Sequence, residues 1–157
     1  MLINVMMNVI IRPIRRNELD SLIQLCKEHA EYEKSEYSLY SKKEALEAHI
    51  FGETQAIKCL VVESEQKLVG YASFMKQFST WEAKFYVYMD CLYLNAYHRN
   101  QGIGKLLLDE IRNFAIREDC TEIQWQTPTF NARAIKFYKR EGAYSKSKAR
   151  FFLNVET

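Results

Sequence analysis

The sequence predicts one mixed α/β domain in which helices cover both faces of a β-sheet. In the first half, short runs of β-branched and aromatic residues follow one another across polar turns, whereas later runs alternate with stretches of helical periodicity. Of the 157 residues, 48% are hydrophobic and 27% are charged, which is the balance of a soluble globular domain. Two prolines, five glycines and the lack of any repeat leave no candidate linker, so we expect a single domain over residues 1–157.

The first predicted elements are a strand and two helices. Residues 5–11 are apolar and β-branched, which predicts a strand. Asn17 is a candidate N-cap for a helix that runs to about Glu33, because leucine and isoleucine recur there at helical spacing. Ser41 is followed by a glutamate three residues later, the spacing of a capping box, and it should open a shorter helix that stops at Gly52.

Three strands are predicted next. Residues 56–63 and 67–78 are apolar, β-branched and aromatic, and the polar residues 64–66 between them indicate a hairpin turn. Residues 85–94 are the most strand-like segment because they are dense in tyrosine, phenylalanine and valine. We expect this strand to be central in the sheet.

The last third of the chain alternates helix and strand. Residues 102–118 carry apolar side chains at helical spacing, and residues 121–126 form a short strand. An amphipathic helix over 131–141 should end on Gly142 as a C′ glycine, and residues 150–155 read as a closing strand. The predicted order is therefore β-α-α-β-β-β-α-β-α-β, a mixed sheet with helices on both faces.

The loop before the third helix, residues 99–105, reads R-N-Q-G-I-G-K. A strand that enters a helix through glycines leaves backbone N–H groups unpaired at the positive end of the helix dipole, which suits a phosphate. Gly102 and Gly104 allow close approach of the anion, and Arg99 and Lys105 add two cations. A tight turn without a ligand is the alternative, whereas a dinucleotide fingerprint fits less well because its glycine spacing and early position are missing.

A second motif follows 26 residues after Lys105: Asn131 opens a helix and Tyr138 comes seven residues later. Together the two motifs resemble the signatures of the GNAT superfamily of N-acetyltransferases, and the resemblance extends over essentially the whole chain. It implies a mostly antiparallel central sheet flanked by helices on both faces. Within the superfamily the chain is most similar to diamine (spermidine/spermine) acetyltransferases, through residues 29–33, 81–84 and 88–90.

The resemblance implies acetyl-CoA as co-substrate and assigns residues to it. Its pantetheine arm would lie along the strand at residues 92–94 as an added strand, and its pyrophosphate in the loop. Tyr138 would donate a proton to the departing sulfur, although a buried tyrosine beside Phe137 is the plain structural alternative. The predicted cofactor-binding residues are Leu92, Tyr93, Leu94, Arg99, Asn100, Gln101, Gly102, Ile103, Gly104, Lys105, Asn131, Ala134 and Tyr138.

An amine acceptor also requires a proton acceptor, because an alkylammonium has a pKa of about 10. Asp90 is our candidate, since a carboxylate within an apolar strand should have either a task or a cationic partner. A salt bridge or a water chain remains open as the alternative, because Met89-Asp90-Cys91 supplies only one carboxylate. The resemblance and the acidic and aromatic clusters predict a substrate site formed by Tyr32, Glu33, Trp81, Glu82 and Asp90, although a solvated helix face would also explain the acidic cluster near Glu33.

The predicted reaction is direct attack of a small-molecule primary amine, polyamine-like or diamine-like, on acetyl-CoA in a ternary complex, since no nucleophile and base pair is evident. An amino acid, an aminoglycoside or a protein amine is an alternative acceptor. A non-catalytic acetyl-CoA sensor is the alternative from another class.

Other classes of partner are not expected. A net charge of +2 argues against nucleic acid, and four cysteines and three histidines without metal-ligand spacing argue against a metal. Single cysteines in apolar runs indicate reduced thiols and a cytoplasmic protein. The apolar N-terminus lacks the marks of an export signal, so we expect no membrane partner; translation could start at Met1, Met6 or Met7. The resemblance implies a homodimer, to which the tail strand could contribute.

Overall fold

The computed structural model describes residues 2–4 and 8–155, which form two compact units, Met1–Gln126 and Thr127–Thr157. The predicted start of the first strand at Val5 and the alternative start sites lie outside the described residues. The elements are β1 (Leu2–Asn4), β2 (Val9–Pro13), α1 (Leu19–Tyr32), α2 (Lys42–Phe51), β3 (Lys58–Ser64), β4 (Lys67–Ser79), β5 (Lys84–Leu94), α3 (Ile103–Arg117), β6 (Ile123–Gln124) and α4 (Ala132–Arg140).

The described strands form one sheet in the order β1-β2-β3-β4-β5-β6. All neighbours are antiparallel except β5 and β6, which are parallel, so the predicted mixed and mostly antiparallel sheet is confirmed. The expectation that β5 is central was wrong, because β5 is the fifth of six strands. β6 pairs with it only at Val87 and Tyr88, so the rest of β5 lies at the margin of the sheet.

Helices cover both faces of the sheet in the first unit, as predicted. On one face, α1 and α2 bury their apolar side chains against β3, β4 and β5; this cluster contains Ile14, Leu19, Leu22, Leu25, Ile50, Cys59, Val61, Tyr71 and Tyr93. On the other face, α3 buries Ile103, Leu107 and Ile111 completely. Phe114 of α3 contacts Phe74 of β4 edge to face, with the ring centroids 5.0 Å apart. The sheet is therefore held between two apolar layers.

Two predicted helix starts were wrong in detail. Asn17 lies inside a 3₁₀ turn over Arg16–Glu18, and α1 begins only at Leu19, because the Glu18 carboxylate accepts the backbone N–H of Arg15 and ties this turn down. Ser41 does precede α2, but its backbone is left-handed, with φ of 54°, and its side chain caps nothing. An N-cap side chain requires an extended backbone to reach the first turn, which explains the missing capping box.

The second unit contains α4 and the tail. Gly142 follows α4 with φ of 89°, and the Ala143 N–H donates to the Tyr138 carbonyl, so the predicted C′ glycine is confirmed. The predicted closing strand was wrong: residues 150–155 form no strand, and the side chains of Phe151 and Leu153 are 90% and 92% exposed. A strand forms where a neighbouring strand pairs with its backbone and one of its faces is buried. Among the described residues, no strand pairs with the tail, and its apolar side chains are exposed.

A buried ion-pair network ties β2 to β3 and to the turn before α1. Arg12 is only 5% exposed, and its guanidinium donates to Glu18, with Nη1 2.9 Å from Oε2, and to Glu63, with Nη2 2.6 Å from Oε2. The hydrogen bond to Arg12 holds the pKa of Glu18 below its ordinary value of 4.5. Removing one partner from such a network leaves a buried charge without full compensation.

Glu18→Gln is expected to lower the free energy of unfolding by about 2 kcal/mol at pH 7, the cost of a lost charged hydrogen bond. Glu47→Gln, which breaks the exposed pair with Arg16, should cost less than about 0.5 kcal/mol. The pKa of Glu18 is lowered in the folded state. The contribution of Glu18 to the free energy of unfolding is therefore complete above pH 4.5 and is lost as the pH falls below that value. Urea unfolding at several pH values measures the free energy of unfolding of both proteins. If the difference between wild type and Glu18→Gln does not become smaller in acid, the contribution of the Glu18 carboxylate to stability is contradicted.

Candidate active site

A β-bulge in β5 shapes the candidate site. The pairing with β4 runs from Ser73–Cys91 directly to Phe74–Met89, so Asp90 is an extra residue in β5. Before the bulge, the Val87 N–H donates toward β6, to the Glu122 carbonyl. Beyond it, the Asn95 N–H donates to Val69 on β4. In a regular strand, the backbone N–H and C=O groups of alternate residues point to the same neighbouring strand. Before the bulge the odd-numbered residues of β5 point toward β6, and after it the even-numbered residues do.

The exchange turns the backbone of Leu92 and Leu94 toward the side of β6. Since β6 pairs only at Val87 and Tyr88, no described strand pairs with residues 90–94 on that side, and we call this stretch the open edge. Arg99 Nε donates to the Leu94 carbonyl at 2.8 Å, which occupies one group of the open edge. An extended ligand can add to the remaining groups as a strand would.

The N-terminus of α3 follows the open edge. Gly102 is the N-cap residue with φ of 79°, a left-handed conformation that favours glycine, and no described side chain caps the helix. The first turn carries no acidic residue. An anion such as a phosphate would therefore meet backbone N–H groups and the positive end of the helix dipole, as predicted from the loop.

The two cations predicted beside the phosphate point elsewhere. The Arg99 guanidinium carbon lies 4.3 Å from the ring centroid of Tyr32 and 5.5 Å from that of Tyr93. Lys105 forms an ion pair with Asp109 one helical turn later, with Nζ 2.6 Å from Oδ2. Arg99 thus connects the loop to the end of α1, a link that spacing alone could not reveal.

The second unit holds the other predicted cofactor residues. Asn131 is buried, and its Oδ1 accepts the Ala134 backbone N–H at 3.2 Å, so it is the N-cap of α4. Tyr138 is half-buried, with its ring 5.2 Å from that of Phe137. Asn131 and Tyr138 are seven residues apart and therefore lie on one face of the helix. Their roles toward the cofactor stay predictions.

Asp90 differs from its expected environment. We expected a carboxylate enclosed in an apolar strand, but its side chain is exposed because the bulge displaces it from the regular alternation. Within residues 8–155, no salt bridge of Asp90 is found, whereas the Cys91 thiol donates to its Oδ2 at 3.7 Å. The alternative of a structural ion pair is thus not supported, and a carboxylate open to solvent can accept a proton.

Apart from Asp90 on β5, the predicted substrate residues lie in two places. Tyr32 and Glu33 end α1, beside Tyr93 of β5. Trp81 and Glu82 lie in the turn that joins β4 to β5, where Trp81 is 92% exposed. Nine residues of extended β5, about 30 Å, separate this turn from Tyr93. The structure therefore brings Tyr32 and Glu33 together but leaves Trp81 and Glu82 at the far end of the hairpin.

A buried polar cluster next to Glu33 was missed in the sequence. His29 Nε2 lies 3.2 Å from Glu33 Oε1, and His29 Nδ1 lies 2.9 Å from the hydroxyl of Tyr71. The thiols of Cys26 and Cys91 lie next to the same hydroxyl. The only sequence signal was the spacing of His29 and Glu33 by one helical turn.

These thiols are poor nucleophiles. Burial raises the pKa of Cys91 to about 12 and also raises the pKa of Cys26 and Cys59. A thiol attacks only as the thiolate, so at neutral pH these buried sulfurs remain protonated. The chemistry of the site therefore has to come from oxygen and nitrogen groups of the chain and from its substrates.

The residues present fit an extended co-substrate that carries phosphates. The open edge offers unpaired backbone groups to a chain of amide character, and the uncapped α3 offers N–H groups to its phosphates. Over residues 2–4 and 8–155, no helix is long and apolar enough to cross a bilayer, and no group of three or more His, Cys, Asp or Glu side chains is placed to hold a metal ion.

Known proteins match this chain in sequence and in fold. The thialysine N-epsilon-acetyltransferases of Bos taurus and Sus scrofa are 31% and 28% identical to it, over 90% and 92% of this chain and 87% and 89% of theirs. An aminoglycoside acetyltransferase from an uncultured soil metagenomic sample, crystallised with sisomicin, superposes with a TM-score of 0.80 at 18% identity. That match covers 98% of this chain and 100% of the other. At such low identity it supports the fold alone.

The sequence model described as the Acetyltransferase (GNAT) family matches residues 18–143. The matched region contains both motifs, the loop at 99–105 and the helix from Asn131 to Tyr138. It also contains the open edge and the uncapped start of α3. The chain therefore belongs to the acetyltransferase (GNAT) family and is an acetyl-CoA-dependent N-acetyltransferase.

Proposed function

We propose that this enzyme transfers the acetyl group to a primary amine of a small, cationic, diamine-like molecule by direct attack in a ternary complex. The observation that carries this proposal is the pair of carboxylates around Tyr71. Glu33 is linked to the Tyr71 hydroxyl through His29. Asp90 lies on β5 next to Cys91, which pairs with Ser73 on β4, two residues from Tyr71. A diamine offers two positive charges, one for each carboxylate, whereas a neutral acceptor would bring neither carboxylate a cation.

Glu33 binds the distal ammonium group in this proposal. Its side chain is 30% exposed, so it is open to a ligand yet partly shielded from water, where a charge pair is stronger than at the surface. Tyr32 adds an aromatic wall, although its face is partly covered by the Arg99 guanidinium. Trp81 and Glu82 would need a different part of the acceptor, and their role stays a prediction.

Asp90 accepts the proton of the reacting ammonium, directly or through water. The nitrogen lone pair then forms the new C–N bond as the C–S bond breaks, and Tyr138 donates its phenolic proton to the departing sulfur. The second proton of the amine nitrogen passes through water to the Tyr138 phenolate, and Asp90 returns the first to solvent, so one proton is released for each acetyl group transferred. The backbone of Leu92 and Leu94 and the loop at 99–105 hold the co-substrate, which supplies the activated acetyl group. No acetylated residue is required, which agrees with the raised pKa of the buried thiols.

A second candidate acceptor is an amino acid with a side-chain amine. It is favoured by the relatives, which are named for acetylating the Nε of thialysine. Such an acceptor also carries a cationic amine, so Glu33 and Asp90 keep their roles. Reduced thiols and the resemblance to dimeric enzymes further support a cytoplasmic homodimer.

Release of coenzyme A thiol tests the acceptor class. Purified enzyme with acetyl-CoA is assayed against spermidine, putrescine, thialysine, lysine, an aminoglycoside and a histone peptide. We expect the highest kcat/KM for acceptors with a second cationic group, and about a tenfold loss for a monoamine of equal length, since one charged contact is removed. A preference for the peptide, or equal rates with the monoamine, would contradict the proposal.

A further inference from the structure

His29 is enclosed between α1 and the sheet. Its side chain is 13% exposed and stacks on Tyr93, with ring centroids 5.1 Å apart and planes 22° apart. Tyr71, which is 3% exposed, meets it edge to face. Both ring nitrogens have polar partners, so the imidazole is held in one orientation by packing and by hydrogen bonds.

The partners also determine where the protons lie. An ionised Glu33 can only accept, so His29 Nε2 carries the hydrogen of that contact. In the neutral ring, Nδ1 must then accept from the hydroxyl of Tyr71. Burial raises the pKa of Tyr71 strongly, so this hydroxyl keeps its proton at all working pH values. The buried tyrosine thereby selects the tautomer that donates to Glu33.

We propose that His29 is a positioning residue for the amine acceptor, which orients the Glu33 carboxylate and weakens binding of a cationic acceptor when it becomes protonated. This inference rests on the proposed role of Glu33. His29 occupies Oε1 and leaves Oε2 to the ligand. A proton on the ring converts the neutral donor into an imidazolium, which neutralises Glu33 and repels an ammonium group.

The other charged and titratable groups around His29 do not change this direction. The groups of α1 near the ring are Glu33, which contacts it, and Cys26, which lies behind Tyr71. The group of β4 near the ring is Tyr71 itself. From β5 the ring faces Tyr93 and, through Tyr71, Cys91.

Arg99 lies beyond Tyr93, with its guanidinium carbon 5.5 Å from that ring, and it keeps its charge throughout. The carboxylates of Glu28 and Glu31 on α1 also act electrostatically on Tyr93. Burial raises the pKa of Tyr93 as well as those of the two thiols, so all three groups stay neutral from about pH 5 to about pH 8.

The kinetic test compares wild type with His29→Gln and His29→Leu. Glutamine retains an N–H donor that can reach Glu33 but does not titrate, whereas leucine removes it. We expect His29→Leu to raise the KM for putrescine about tenfold with kcat changed less than about twofold. The ratio of the wild-type KM for putrescine to that of His29→Gln should increase several-fold as the pH is lowered, because glutamine cannot gain a charge. The KM for acetyl-CoA should not change.

Glu33→Gln separates this inference from the proposed function. If Glu33→Gln raises the KM for putrescine but both His29 variants match wild type at every pH, the role of His29 is overturned and the amine site stands. If Glu33→Gln leaves that KM unchanged, the amine site itself is misplaced. In the background of Glu33→Gln, His29→Leu should have no further effect on the KM, because its effect acts through that carboxylate.

A measurement on the wild-type enzyme covers the case in which the variants do not fold. Ring ¹⁵N signals of the three histidines are titrated by NMR in the presence of coenzyme A, with and without saturating putrescine. Binding and protonation oppose each other, so the midpoint of the His29 signal should move to lower pH when putrescine binds, with His49 and His98 unchanged. An unmoved His29 midpoint at saturating putrescine overturns the proposal.

Discussion

Tyr138→Phe is expected to lower kcat by at least about a hundredfold, the usual range for loss of a general acid. The thiolate of coenzyme A would then have to leave without a proton donor. The phenyl ring keeps the packing against Phe137, so the affinity for acetyl-CoA should change less than about twofold. Stopped-time thiol release gives kcat, and isothermal titration calorimetry with coenzyme A gives the affinity.

Tyr144→Phe is the matched control for this prediction. Tyr144 lies in the same unit, six residues later, and its side chain is 76% exposed. The same loss of a hydroxyl there should leave kcat unchanged. Turnover of Tyr138→Phe at the wild-type rate would refute the acid assignment and favour a structural tyrosine.

Gly102→Asp is expected to reduce affinity for coenzyme A by at least about a hundredfold. The substitution places a negative charge at the positive end of α3, where we expect the phosphates to bind. It also forces a side chain onto a residue with φ of 79°, which costs about 1 kcal/mol of backbone strain. Calorimetry with coenzyme A measures the loss directly.

Two variants separate charge from strain in this experiment. Gly102→Ala carries the same strain without the charge, and we expect it to retain most of the affinity. Gly142→Asp carries the same side chain at φ of 89° with open space around it, but at the end of α4. It should leave coenzyme A binding unchanged. Wild-type affinity of Gly102→Asp would show that the phosphates bind elsewhere.

Local signals predicted most of the fold. Helical periodicity, the turn at residues 64–66 and the glycines at 52 and 142 depend only on neighbours in the chain, and the elements agree with them. The errors came from longer range. Asn17 is not an N-cap, because the contacts of Glu18 with Arg12 and Arg15 hold residues 16–18 in a 3₁₀ turn. The tail is not a strand, because no described strand pairs with it. Hydrophobic periodicity reveals neither contact.

The site divides in the same way. The uncapped glycine turn before α3 was predictable because it is a property of one short loop. The contact of His29 with Tyr71 joins residues 42 positions apart, and it requires both the packing of α1 on the sheet and the register of β4. The exposure of Asp90 depends on a bulge that composition does not reveal. Contacts between distant elements therefore had to come from the structure.

The proposed enzyme transfers acetyl groups to a small cationic amine without being acetylated itself. The most direct test of this reaction is mass spectrometry of a single turnover, with enzyme in excess over acetyl-CoA. Incubation with acetyl-CoA alone should leave the protein mass unchanged, and addition of putrescine should yield one equivalent each of monoacetylated diamine and free coenzyme A. A protein mass increased by one acetyl group before putrescine is added would contradict direct transfer, and the absence of acetylated diamine after its addition would contradict a diamine-like acceptor.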